Sequence, residues 1–239
     1  MLAGTIDMAV HSIKDMPAMI SPRLKLAAII KRVDARDVLV SGTGRGLMEL
    51  SSGATIGTGS QRRAVQLRTC RPDLQVCQIR GNVDTRLRKT YSGEFDGIIL
   101  AAAALIRLGW QDKITEYLSM ESFLPAVGQG ALAIEIRADD AEIARLVSPL
   151  NHEPTWQSVL AERNFLRHLG GGCRAPIAAL GVVIGDILEL RGMVASADGN
   201  RILQDRQEGP ANAPEQVGRL LAQKMLQKGA YQLITEDHK

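Results

Sequence analysis

Three groups of residues have types and spacings suited to chemistry. The first is Lys14-Asp15, which follows an apolar run at 6–10 and the pair His11-Ser12. An acid and a base at a strand-to-loop junction lie where open α/β sheets bind ligands. The same pair on a turn is equally readable as a solvated salt bridge. The second group is Arg62, Arg63, Arg80, Arg86 and Arg107, each near a predicted strand-to-helix junction. Arginine rather than lysine suits bidentate binding of carboxylate or phosphate. The third is Cys173, preceded by Gly170-Gly171-Gly172 and followed by Arg174-Ala175-Pro176. Glycines admit close approach and positive φ, and Pro176 keeps Ala175 out of the helical region, so the cysteine is expected on a tight loop. A small buried thiol beside a glycine-capped helix end is the plainer alternative.

The elements that must position these groups can be read from apolar periodicity. The chain has 239 residues, 45% hydrophobic and only 3% aromatic, with a net charge of +3. That length allows real cores in one large or two ordinary domains. Strands are predicted at 6–10, 24–30 and 37–40, with a charged crossing at 31–37 between them. Gly42-Thr43-Gly44-Arg45-Gly46 has repeated glycines but no following Gly-Lys-Ser/Thr, so it reads as a surface loop rather than a phosphate loop. From 54 to 108 the pattern is strand–helix three times over: strands at 54–58, 74–79 and 97–102, helices at 60–69, 83–91 and 103–108. This alternation predicts a parallel sheet.

Ser60 is the expected N-cap of the first of those helices. Arg62 and Arg63 then fall in its first turn, where the helix dipole favours anions and disfavours cations. An anion at the helix start, held by free N–H groups and the two guanidinium groups, would offset that cost. Arg68, Arg71, Arg88 and Lys89 read as solvated helix faces. The segment Leu124-Pro125-Ala126-Val127-Gly128-Gln129-Gly130 is turn-rich and leads into an alternating strand at 131–136, the return strand expected of a two-lobed, hinged receptor fold. Helices follow at 139–147 and 154–169. Beyond 176 the character changes: strands at 177–184, 187–195 and 202–207, joined by Gly185-Asp186 and Asp198-Gly199, predict an antiparallel unit closed by a helix at 213–228.

Six segments, in order along the whole chain, resemble the porphobilinogen deaminase (hydroxymethylbilane synthase) family. They are His11-Ser12-Ile13-Lys14-Asp15-Met16-Pro17, Ile56-Gly57-Thr58-Gly59-Ser60-Gln61-Arg62-Arg63, Ile79-Arg80-Gly81-Asn82-Val83-Asp84-Thr85-Arg86, Leu105-Ile106-Arg107-Leu108-Gly109, the 124–130 segment, and Gly171-Gly172-Cys173-Arg174-Ala175-Pro176. The resemblance implies an α/β fold of two periplasmic-binding-protein-like lobes, the first one incomplete, plus a small C-terminal α+β domain. The corresponding boundaries are 1–32 with 131–149, then 33–130, then 150–239.

The resemblance also implies the chemistry. A dipyrromethane cofactor would be attached through a thioether to Cys173. Porphobilinogen would be added to it one unit at a time, each step losing ammonia through a cationic azafulvene, to give polypyrrole intermediates and a linear tetrapyrrole. Asp15 matches the catalytic aspartate, and a carboxylate is what developing positive charge beside pyrrole N–H groups requires. Cys173, Lys14, Ser12, Thr58, Ser60, Arg62, Arg63 and Arg80 are implied cofactor contacts, and Arg86, Arg107 and Gln129 substrate contacts. The acetate and propionate groups of every pyrrole make the growing chain polyanionic, which gives the arginines a purpose.

Other classes are disfavoured. Few aromatics and a small net charge argue against nucleic acid. No apolar run reaches membrane-spanning length. Cys70, Cys77 and Cys173 form no CxxC pair and have no zinc-like spacing, so no metal site is expected and a reducing, cytoplasmic setting is. A monomer is expected. The family's chains normally begin roughly 70 residues earlier, about half a small domain. The chain is therefore expected to be an N-terminally truncated form, a mis-called start or a fragment, with apolar edges exposed along 6–10 and poor stability or activity. The alternatives are a truncated, inactive family member and a non-catalytic two-lobed anion-binding module.

Overall fold

The computed structural model describes residues 1–170 and 176–235. The chain opens with β1 (Met8–Ser12), which runs straight into a 3-10 turn at Ile13–Asp15, and then β2 (Leu24–Ile29). A crossing segment leads to β3 (Asp37–Ser41). There follow β4 (Thr55–Gly57), α1 (Gln61–Cys70), β5 (Gln75–Cys77), α2 (Val83–Tyr91), β6 (Gly97–Ala101), α3 (Ala102–Arg107) and the short β7 (Glu116–Tyr117). The chain then returns through β8 (Leu132–Arg137) to α4 (Ala141–Val147) and α5 (Glu153–His168). The last part is β9 (Ile177–Ile184), β10 (Ile187–Ala195), β11 (Ile202–Pro210), α6 (Pro214–Gln227) and α7 (Ala230–Thr235).

The strands form three sheets. In the first, β8 lies between β1 and β2 and is antiparallel to both. Its alternating side chains serve two cores: Ala133 packs with Ile29 and Val159 on one side, Ile134 and Ile136 with Ala28 and Val147 on the other. β1 is an edge strand, and its Met8 and Val10 are 48% and 59% exposed.

The second sheet has the order β5-β4-β6-β3-β7. It is mixed rather than parallel as the strand–helix alternation predicts. β4 runs parallel to β5 and β6, the strands linked through α1 and α2, whereas β3 is antiparallel to both β6 and β7. The reason is connectivity: β3 enters from the crossing, not from a helix, so nothing obliges it to run with its neighbours. β3 and β6 are buried along their whole length. Val38, Val40, Ile98 and Leu100 feed one core, Leu39 and Ile99 the other, which is why both strands read as continuous apolar runs.

The third sheet is the antiparallel β11-β10-β9, covered by α5 and α6. Gly192 in β10 lets the ring of Phe165 sit against the strand; a Cβ there would fall 2.7 Å from the ring. The mixed α/β class and the C-terminal α+β unit expected from sequence are both observed. Among the described residues no helix is long and apolar enough to cross a membrane, and no cluster of three metal-ligating side chains occurs.

Candidate active site

The centre of the second sheet's edge is a buried ion cluster. Asp37, the first residue of β3, is fully buried. Its Oδ2 accepts from Arg62 at 2.7 Å, and its Oδ1 accepts from Arg63 Nε and NH2 at 3.0 and 2.8 Å and from Gln129 Nε2 at 2.9 Å. Burial alone would raise this carboxyl's pKa. The charges of Arg62 and Arg63, with hydrogen bonds from Arg62 and Gln129, outweigh it and hold the group well below the usual carboxylate range. Arg62 and Arg63 are themselves buried, with further bonds to Leu124 O and Ile99 O. The anion that compensates two cations in the first turn of α1 is therefore an internal carboxylate from a strand 25 residues upstream of Arg62. Ser60 caps the helix as expected, its Oγ accepting from Arg63 N.

Lys14 and Asp15 lie on the 3-10 turn after β1, both exposed. The turn is anchored by Ile13, which is 1% exposed and packs against Gly128, where any Cβ would collide with it. Protein crowding around the Lys14 ammonium lowers its pKa; Arg63 lowers it further, and Asp15 and Asp37 oppose this. The turn is thus within electrostatic reach of the arginine pair across the crossing. Ser12 and Asp15 line a cavity of about 550 Å³ with Met16, Leu24, His11 and Glu135, the last two paired at 3.0 Å.

Arg86 joins the same field: its pKa is lowered by burial and by Arg63, and its Nε donates to Gly81 O at 2.8 Å. Arg107 donates to Gly130 O at 2.8 Å, next to Gln129, and burial lowers its pKa. Among the described residues neither forms an ion pair, and neither do Lys14 and Arg80. Arg80 is exposed on the turn before α2, and no contact draws it to the others. Thr58 is buried, its Oγ1 accepting from Ser60 N. Gln129 is fully buried, and its Nε2 also donates to Ala35 O, so the amide orientation is fixed by two acceptors; its Oε1 has no partner. Of the arginines expected on solvated faces, Arg71 is buried instead, bonded to Asp73, Leu47 O and Leu50 O, and ties a loop down. Cys173 lies outside the described residues.

Sequence patterns missed the groups that join the units. Glu162 of α5 is fully buried and accepts from Arg32 NH2 at 2.6 Å, Gly128 N at 2.6 Å and Gly181 N at 2.8 Å. One carboxylate thereby fastens both crossings and β9 to α5. The next residue, Arg163, donates to Pro17 O and Ala18 O at 2.9 and 3.2 Å, holding the segment just after Asp15. A charged pair at i, i+1 flanked by Ala161 and Phe165 on the buried side of α5 is the one available signal.

Fold and site together define an α/β enzyme that carries an exposed acid and cations without carboxylate partners among the described residues, its two crossing segments fastened to a C-terminal α+β unit. The family description "Porphobilinogen deaminase, dipyromethane cofactor binding domain" matches residues 1–145, and "Porphobilinogen deaminase, C-terminal domain" matches residues 156–227. Relatives named porphobilinogen deaminase include one from Syntrophobacter fumaroxidans, 46% identical over 99% of this chain and 76% of its own length. Another, from Bacillus subtilis, is 50% identical over 98% of this chain and 74% of its own length. The chain belongs to the porphobilinogen deaminase family, whose enzymes are transferases. A solved periplasmic binding protein from Salmonella typhimurium overlaps 62% of this chain and 66% of its own at 14% identity and a TM-score of 0.36.

The residues present fit a dipyrromethane, two linked pyrroles with acidic side chains. Arg86 and Arg107 have only backbone carbonyls as partners, so their charges are available to carboxylates. The buried, unpartnered Oε1 of Gln129 is an acceptor, the complement of an N–H donor.

Proposed function

We propose that this chain catalyses the deaminative joining of porphobilinogen units into a linear tetrapyrrole, on a dipyrromethane held by a thioether to Cys173. The observation that carries this reading is the set Lys14, Arg86 and Arg107, cations with no ion-pair partner among the described residues, the first two within the field of Arg63 and Lys14 next in sequence to the exposed Asp15. A polycarboxylate substrate supplies the missing anions. When bound, the dipyrromethane would supply the free pyrrole α-carbon to which the first unit is joined, each later unit joining the ring added before it.

The chain's own residues supply binding and charge. Lys14, Arg62, Arg80, Arg86 and Arg107, with Ser12 and Ser60, receive ligand carboxylates, and Arg63, Thr58 and Gln129 support them from the buried side. The Asp15 carboxylate accepts hydrogen bonds from pyrrole N–H, stabilises the positive charge that develops as ammonia leaves, and takes up the proton released on coupling. Cytosolic location fits Cys70 and Cys77, which are free thiols.

Intact-mass measurement tests the reading. The purified chain incubated with porphobilinogen gains the mass of a dipyrromethane on Cys173, and Cys173→Ser gains none. A chain that stays unmodified, or a variant that loads equally well, overturns it.

A further inference from the structure

Arg62 and Arg63 are adjacent and share one carboxylate, yet their remaining donors are unequal. A guanidinium carries five N–H groups on three nitrogens. Arg63 has all three nitrogens engaged: Nε and NH2 on Asp37 Oδ1 and NH1 on Ile99 O at 3.0 Å. Arg62 uses NH1 alone, to Asp37 Oδ2 and Leu124 O, both at 2.7 Å. Among the described residues its Nε and NH2 have no partner. That edge is the planar fork that matches a carboxylate bidentately.

We propose that Asp37 is a positioning residue that divides this pair, bracing Arg63 and holding the Nε/NH2 edge of Arg62 ready for a carboxylate of the bound dipyrromethane. The proposal rests on the carboxylate-binding function above. Asp37 directly follows the first crossing, and through Gln129 it grips the second, so the same carboxylate sets the fork relative to the hinge. Lysine at 62 could keep the charge but not the fork, and asparagine at 37 keeps the shape of the brace but loses its charge.

The test is a double-mutant cycle on cofactor loading. Apo-chain is mixed with porphobilinogen, and the rate constant for mass gain on Cys173 is measured for wild type, Asp37→Asn, Arg62→Lys and the double variant. Each single variant is expected to load roughly tenfold or more slowly, since hydrogen bonds to charged groups are lost. The double variant is expected to be no slower than the slower single one, because both remove the same oriented fork. Leu39→Ala, a core truncation in the same strand, controls for stability and is expected to load normally once folded. Normal loading by Asp37→Asn, effects that multiply in the double variant, or an equal defect in Leu39→Ala overturns the proposal. Wild-type chain that never gains mass overturns the underlying function as well, which separates the two failures.

Discussion

The guanidinium of Arg32 and the carboxylate of Glu162 meet at 2.6 Å, the carboxylate fully buried and the guanidinium nearly so. Because Glu162 also accepts from Gly128 N and Gly181 N, this pair joins both crossings to α5, the helix that precedes Cys173 in the chain. Removing one member of such a pair leaves the other charge buried and uncompensated, which costs about 3 kcal/mol or more. Glu162→Gln is expected to lower stability by that amount in urea titration and to speed amide exchange at residues 128–130 more than in α2.

Gly128 has φ +71°, and a Cβ there would collide with Ile13, the anchor of the Lys14-Asp15 turn. Gly128→Ala therefore combines backbone strain with overpacking and is expected to destabilise by about 2–4 kcal/mol. Adding Ile13→Val to make room is expected to recover part of that loss in thermal denaturation, but not the part owed to φ.

Asp15 is exposed and forms no ion pair among the described residues, so its replacement should leave the fold intact. Asp15→Asn is expected to slow turnover by roughly 10²-fold or more while leaving the melting temperature essentially unchanged. Asp15→Glu, which restores a carboxylate at a different reach, should recover only part of the rate. Steady-state kinetics beside a melting curve checks both.

Asp205 is held by Lys224 and Lys228 at 2.6 Å each, linking β11 to α6 and to the residue just after it. Burial pushes its pKa up, but bonds from the two lysines and from the Arg206 N–H bring it down to about 2. The unfolded value is about 3.9, so the unfolded chain binds the proton more readily, and the stability this group supplies is complete above that pH. It is lost as pH falls through the folded value. The stability gap between wild type and Asp205→Asn is expected to be constant from pH 7 to about 5 and to close between about pH 4 and 2, as followed by urea titration at each pH.

Local signals carried the helices well. Ser60, the expected N-cap, caps α1 with a side chain that accepts from Arg63 N three residues on, so the relevant physics lies within one turn of the residue read; in the structure Asn82 does the same for α2 through Thr85 N. The hairpin glycines Gly185 and Gly199 both have positive φ and join antiparallel strands as their dipeptides predict. The two-residue β7 and the short α7 escaped because neither is long enough to show a period.

By itself, then, the sequence determined the strand and helix succession apart from β7 and α7, the family, and which residue types are available for carboxylate binding and acid chemistry. Each depends on neighbours in the chain or on ordered motifs. Only the tertiary structure decided which charges answer one another. Asp37 looked like the start of a strand, yet it pairs with both Arg62 and Arg63; Glu162 looked like one polar position in a helix, yet it ties residues 32, 128 and 181 together. Partners 25 to 130 residues apart in sequence are brought together by sheet order and helix packing, and no local pattern encodes such a pairing.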